Sequence, residues 1–120
     1  MSKILVVEDT EDNRQIVRDL LSSVGYDLVE AVDGLEGVAM AEKERPDLIL
    51  MDIQLPGVDG YEATRRIRAI PSLAQTPIIA VTSYALSGDE AKTRAAGCDA
   101  YVAKPFSPRQ LLAKIREFLP

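Results

Sequence analysis

The stretch DLILMDIQLPGVDG, residues 47–60, decides the architecture. It contains a wholly apolar run, Leu48–Met51 (LILM), ended by the acid Asp52 and a turn with Pro56-Gly57. An apolar run without polar alternation reads as a strand covered on both faces, as in a parallel sheet. Working outward, Ile4–Val7 (ILVV) and Pro77–Val81 (PIIAV) are strands of the same kind. Leu28–Val32 and Asp99–Ala103 make the set five. These two carry Glu30 and Tyr101, polar intrusions that suit sheet edges.

Helical patterns separate the runs. Residues 12–24 place Ile16, Val17, Leu20, Leu21 and Val24 on one face, and Gly25 follows where a helix-ending glycine belongs. Residues 35–44 turn Leu35, Val38 and Ala39 inward and stop near Pro46. Residues 59–68 group Tyr61, Thr64 and Ile67, and residues 87–96 run up to Gly97. Residues 107–119 take Ser107 as N-cap and Pro108 as first helical residue, with Leu111, Leu112, Ile115, Phe118 and Leu119 inward. Strict alternation predicts an α/β, doubly wound, five-stranded parallel sheet, one domain over residues 1–120. With strands 1, 3 and 4 central, the order is 2-1-3-4-5, a flavodoxin-like (βα)5 arrangement.

That order places a ligand crevice beyond the carboxyl ends of strands 1 and 3. Glu8 and Asp9 follow the first and Asp52 the third, so three carboxylates meet there. Acids at such range repel one another unless a cation joins them. Magnesium, which suits one or two carboxylates plus a phosphate oxygen, answers this. Thr82 ends strand 4 and Lys104 follows strand 5 at the same edge. A hydroxyl and an ammonium beside a carboxylate are what a transferred phosphoryl group needs on its oxygens. Taken singly, Glu8 and Asp9 read as helix-capping acids, Thr82 as a commonplace strand end and Lys104 as a solvated charge. The convergence of five residues from four strands is the specific signal. A cis Lys104–Pro105 peptide, aiming the ammonium inward, stands beside a trans proline opening the last helix.

Composition narrows the chemistry. The chain has 120 residues, no histidine and one cysteine, Cys98, which excludes zinc cages, histidine-dependent triads and an internal disulfide. A formal net charge of −5 disfavours nucleic acid and anionic membranes as partners. The absence of a spanning apolar run or signal-peptide pattern makes a cytoplasmic protein the expectation. No G-x-x-x-x-G-K-[ST] loop is present, so ATP is not expected as direct phosphoryl donor.

The runs ILVVEDTEDN, DLILMDIQLPGVDGYEATRRIR, TPIIAVTSYAL and GCDAYVAKPF together resemble the receiver domain of bacterial response regulators. The flavour is that of single-domain cell-division regulators and of receiver modules of hybrid histidine kinases. The resemblance implies that Asp52 is the phosphoacceptor in a Mg2+- (or Mn2+-) dependent reaction. Glu8, Asp9, Asp52 and the backbone carbonyl of Gln54 would hold the metal, with a Glu-Asp pair in place of Asp-Asp. Thr82 would be the switch hydroxyl, Lys104 the phosphate-binding lysine and Tyr101 the aromatic switch. Gln54 and Tyr84 would tune dephosphorylation. The donor would be a phosphohistidine on a histidine kinase or histidine phosphotransfer protein, met by Asn13, Ile16, Pro105 and Phe106. Output would run through a downstream protein partner or another part of a longer chain. The domain would catalyse only its own phosphorylation and dephosphorylation.

Three other readings compete. A receiver fold can bind partners without phosphorylation. A flavin mononucleotide binder shares the strand order, but the acids at residues 8–12 would repel its phosphate. An Asp-nucleophile hydrolase wants a second acid two residues on, where this chain has Gln54.

Overall fold

A computed structural model describes residues 2–83 and 89–119. Five strands, β1 (Lys3–Val7), β2 (Asp27–Ala31), β3 (Leu48–Asp52), β4 (Ile78–Thr82) and β5 (Ala100–Ala103), form one sheet in the order β2-β1-β3-β4-β5. Every pairing is parallel. Five α-helices alternate with them: α1 (Glu11–Ser23), α2 (Gly34–Glu44), α3 (Gly60–Arg68), α4 (Asp89–Ala96) and α5 (Pro108–Arg116). This is the expected doubly wound, flavodoxin-like arrangement.

Side chains alternate across the sheet and so build two cores. One face sets Ile4, Val6, Leu48, Leu50, Ile79 and Val102 against Val17 and Leu21 of α1 and Leu111 and Ile115 of α5. The other sets Leu5, Val7, Ile49, Met51, Ile78 and Ala80 against Ala41 of α2 and Ala63 and Ile67 of α3. Every residue of β3 and β4 is buried, as central strands require. The edges differ. Glu30 of β2 is half-buried and accepts hydrogen bonds from Arg18 at 2.7 and 2.8 Å, and Tyr101 of β5 is half-buried.

Helix ends follow the local chemistry. Ser107 accepts from the Gln110 amide while the Gln110 side chain accepts from the Ser107 amide, closing a reciprocal cap with Pro108 behind it. Asp33 and Asp59 cap α2 and α3 through the amides of Glu36 and Glu62. Gly25 and Gly97 take φ of 91° and 113° just past α1 and α4, the left-handed region glycine enters cheaply.

Several inward assignments need correction. On α1, Ile16 is 58% exposed and Val24 lies beyond the helix, exposed. On α2, Leu35 is 59% exposed and Ala39 is exposed. The buried face of α2 is Gly34, Gly37 and Ala41. A Cβ on Gly37 would lie 3.0 Å from the Val7 methyls, so the backbone itself packs there. Helix α5 stops at Arg116, with Phe118 and Leu119 packing from beyond it, and β2 ends at Ala31, leaving Val32 exposed. Residues 87 and 88, expected to open α4, lie outside the described residues.

Candidate functional site

The crevice forms where the chain leaves β1 and β3 for opposite faces of the sheet. Glu8 extends the β1–β2 pairing by donating its amide to the Ala31 carbonyl at 3.0 Å, which carries its side chain into the sheet's carboxyl edge. Asp52 is the last residue of β3 and only 3% exposed. Glu8 is also buried, while Asp9 is exposed. One carboxylate oxygen from each of Glu8, Asp9 and Asp52 lies within 4.8 Å of the other two.

Lys104 enters from the far side of β3. Its amide donates to the Thr82 carbonyl at 2.8 Å, prolonging the β4–β5 ladder past Ala103. The Lys104–Pro105 peptide is cis. The ammonium reaches Glu8 Oε1 at 3.1 Å and Asp52 Oδ2 at 3.2 Å. The other oxygen of Asp52, Oδ1, accepts from the Gln54 amide at 2.9 Å. Thr82 is fully buried at the end of β4. By register Tyr101 stands beside Ala80, on the same face of the sheet as Thr82.

The electrostatics follow. Asp9's carboxyl is raised above its ordinary value, chiefly by a side-chain hydrogen bond with the Glu8 carboxyl, then by desolvation and by Glu8's charge. Burial alone would depress the Lys104 ammonium, but the charge of Asp52 and the hydrogen bond to Glu8 more than offset it, and its pKa is raised. Among the described residues, one ammonium thus pairs with two of the three clustered acids. Oxygen donors alone, two of them buried, fit a hard divalent cation.

Of the sequence-predicted residues, Glu8, Asp9, Asp52 and Lys104 converge, Gln54 joins them through its amide on Asp52, and Thr82 ends the adjacent strand with its carbonyl on the Lys104 amide. Asn13, Ile16, Pro105 and Phe106 come together too: they line one cavity of about 550 Å³ that also touches Glu8, Asp52 and Lys104. Tyr84 lies outside the described residues. Two contacts escaped the sequence reading. Arg14 donates to the Glu8 carbonyl at 2.8 Å, and the Ser83 amide donates to Gln54 Oε1 at 3.3 Å. The spacing of Arg14 from Glu11 hints at an ion pair, but nothing in a sequence marks a backbone carbonyl as an acceptor.

Comparison with known proteins gives the arrangement its context. The family model for the response regulator receiver domain matches residues 4–116. The polar-differentiation response regulator DivK of Brucella anthropi is 43% identical over 116 residues, covering 97% of this chain and 94% of that protein. The receiver domain of sensor histidine kinase PA1611 from Pseudomonas aeruginosa PAO1 superposes with a TM-score of 0.91 at 42% identity, covering 98% of this chain and 96% of that one. That structure has a magnesium ion coordinated in its active site cleft. The Vibrio cholerae chemotaxis protein CheY4 superposes with a TM-score of 0.94 at 33% identity, covering 99% of both chains.

Proposed function

The chain belongs to the response regulator receiver domain family, the phosphoacceptor signalling element of two-component systems, and from that premise we propose that Asp52 is the residue phosphorylated. The observation that carries this reading is the meeting of Lys104 with both Asp52 and Glu8 at one strand-end crevice. We take residues 1–120 as one such domain, acting in the cytoplasm. No helix among the described residues is long and apolar enough to cross a membrane.

The donor is a phosphohistidine on a histidine kinase or histidine phosphotransfer protein. An Asp52 carboxylate oxygen attacks phosphorus in line, an O–P bond forms as the P–N bond breaks, and the imidazole leaves with the electron pair and takes up a proton. Lys104 lets go of a carboxylate oxygen and holds a phosphoryl oxygen. Thr82 supplies a hydroxyl to another. Glu8, Asp9, Asp52 and the Gln54 carbonyl hold Mg2+ (or Mn2+). Bound there, the ion supplies positive charge against the developing negative charge on the phosphoryl oxygens. The domain turns over only its own acyl phosphate and no external substrate.

Recognition of the donor falls to Asn13, Ile16, Pro105 and Phe106, which rim the cavity leading to Asp52. Output follows from the charge a phosphoryl group adds. Thr82 is drawn toward it and Tyr101 moves over the small Ala80. Helix α4 moves with them at little cost. Among its described side chains it buries only Thr93 and Ala96, whereas a buried Leu or Ile contributes about 1.5–3 kcal/mol. A downstream protein partner reads the altered surface.

Beryllofluoride, a phosphoryl mimic, tests this reading by NMR. With Mg2+ present, it is expected to shift the amides of Asp52, Thr82 and Lys104 and of residues 89–106. A spectrum that ignores it would favour a partner-binding module that works without phosphorylation.

A further inference from the structure

The turn that carries Glu8 and Asp9 is held from outside itself. Thr10 stands at the N-cap of α1, yet its side chain makes no capping hydrogen bond. Within the turn, the Thr10 amide donates to Glu8 Oε2 at 3.3 Å, through the same carboxyl that faces Lys104. The firm hold comes from Arg14, one helical turn on. Its backbone amide donates to the Thr10 carbonyl at 3.0 Å, and its Nη1 donates to the Glu8 carbonyl at 2.8 Å. One residue therefore grips the turn at both ends, with Asp9 between.

Arg14 is itself fixed. Its side chain is only 11% exposed, Nη2 pairs with Glu11 at 2.5 Å, and Nε lies 3.4 Å from Glu30 on the edge strand β2. Three directions from one planar group require the guanidinium fork, which an ammonium does not provide. Arg18 is the matched neighbour: it pairs with the same Glu11 and Glu30 but makes no hydrogen bond to the turn.

We propose that Arg14 is a positioning residue for the acid cluster: by holding the Glu8 carbonyl it fixes the Glu8–Asp9 peptide and aims the exposed Asp9 carboxylate at the cation the cluster binds. The proposal rests on the reading of Glu8, Asp9 and Asp52 as a metal site. Asp9, alone among the three, is neither buried nor bonded to Lys104, so its aim depends most on the backbone beneath it.

The test is titration with Mg2+, followed through the amide shifts of the wild type and of Arg14→Met, Arg14→Lys and Arg18→Met, each first verified as folded by its thermal melt. Arg14→Met is expected to bind Mg2+ about tenfold more weakly, the low end for loss of a group that orients metal ligands. Arg14→Lys, which keeps the charge but not the fork, recovers only part of the loss. Arg18→Met, which loosens the same Glu11 and Glu30 pairs but leaves the Arg14 bond to the Glu8 carbonyl in place, keeps affinity within about twofold, the small effect of coupling through a shared network. Wild-type affinity in Arg14→Met, or equal losses in Arg14→Met and Arg18→Met, would overturn the proposal. A wild-type chain indifferent to Mg2+ would sink the metal reading and this proposal with it, a result distinct from either.

Discussion

The Lys104 ammonium lies 3.2 Å from Asp52 Oδ2, joining two strand ends that stand 52 positions apart in sequence. Among the described residues it is the one cation paired with the carboxylates of Glu8 and Asp52. Its removal leaves two buried carboxylates without a partner charge. Lys104→Met should therefore cost about 2 kcal/mol in chelator, less than a fully buried pair because the lysine side chain is 21% exposed. Saturating Mg2+ should restore most of that by binding the native state. Urea melts with and without Mg2+ check this. A variant as stable as wild type in chelator would contradict it.

Glu30 offers a pH test away from the metal site. Hydrogen bonds from Arg18 hold its carboxyl below the ordinary glutamate value of 4.5, with the charges of Arg18 and Arg14 adding to the effect against burial and the nearby charge of Glu11. On this count the unfolded chain binds more protons than the native one as acid is added. The stabilisation is complete above 4.5 and is lost as pH falls through the depressed native value. Glu30→Gln should be less stable than wild type at neutral pH, and the gap should close below 4.5. A gap that does not change with pH would show that the ion pair is not its source.

Gly60 opens α3 directly behind the crevice. A Cβ there would press on the Asp52 carbonyl and lie 2.6 Å from Ile53 Cα, and backbone cannot move aside as a flexible side chain can. Gly60→Ala should cost about 3 kcal/mol, the upper end for overpacking, and should lower the midpoint of thermal unfolding. Gly57→Ala is the contrast: φ is +70° but nothing lies within 4 Å, so only the left-handed strain of about 1–2 kcal/mol applies. Equal losses in the two variants would refute the steric argument.

Much of this was legible in the residues. Strand order could be read because the two strands with polar intrusions, at Glu30 and Tyr101, are the two edges. Once the order was known, the site followed, since a parallel sheet gathers its strand ends at one edge. Helix α2 was misread for a definite reason. Periodicity counts apolar side chains, and this helix packs through two residues that have none, Gly37 against Val7 of β1 and Gly34 against Val58 before α3. Leu35 is then the apolar residue the pattern turns inward, and it is exposed. Ile16 fits the helical pattern of α1 but stands exposed at the lip of the cavity, where the pattern cannot separate a core residue from a rim residue. Arg14 was missed because its decisive partner is a main-chain oxygen, whose place depends on the fold and not on residue type.

The central claim is that Asp52 takes the phosphoryl group and needs a divalent cation to do so. Intact-mass spectrometry of the chain after incubation with a small-molecule phosphoryl donor tests it most directly. Wild type with Mg2+ should gain the mass of one phosphoryl group, labile to base and hydroxylamine as an acyl phosphate is. Wild type in chelator and Asp52→Asn with Mg2+ should gain none. A modified Asp52→Asn chain, or a wild type modified equally without the metal, would contradict the account.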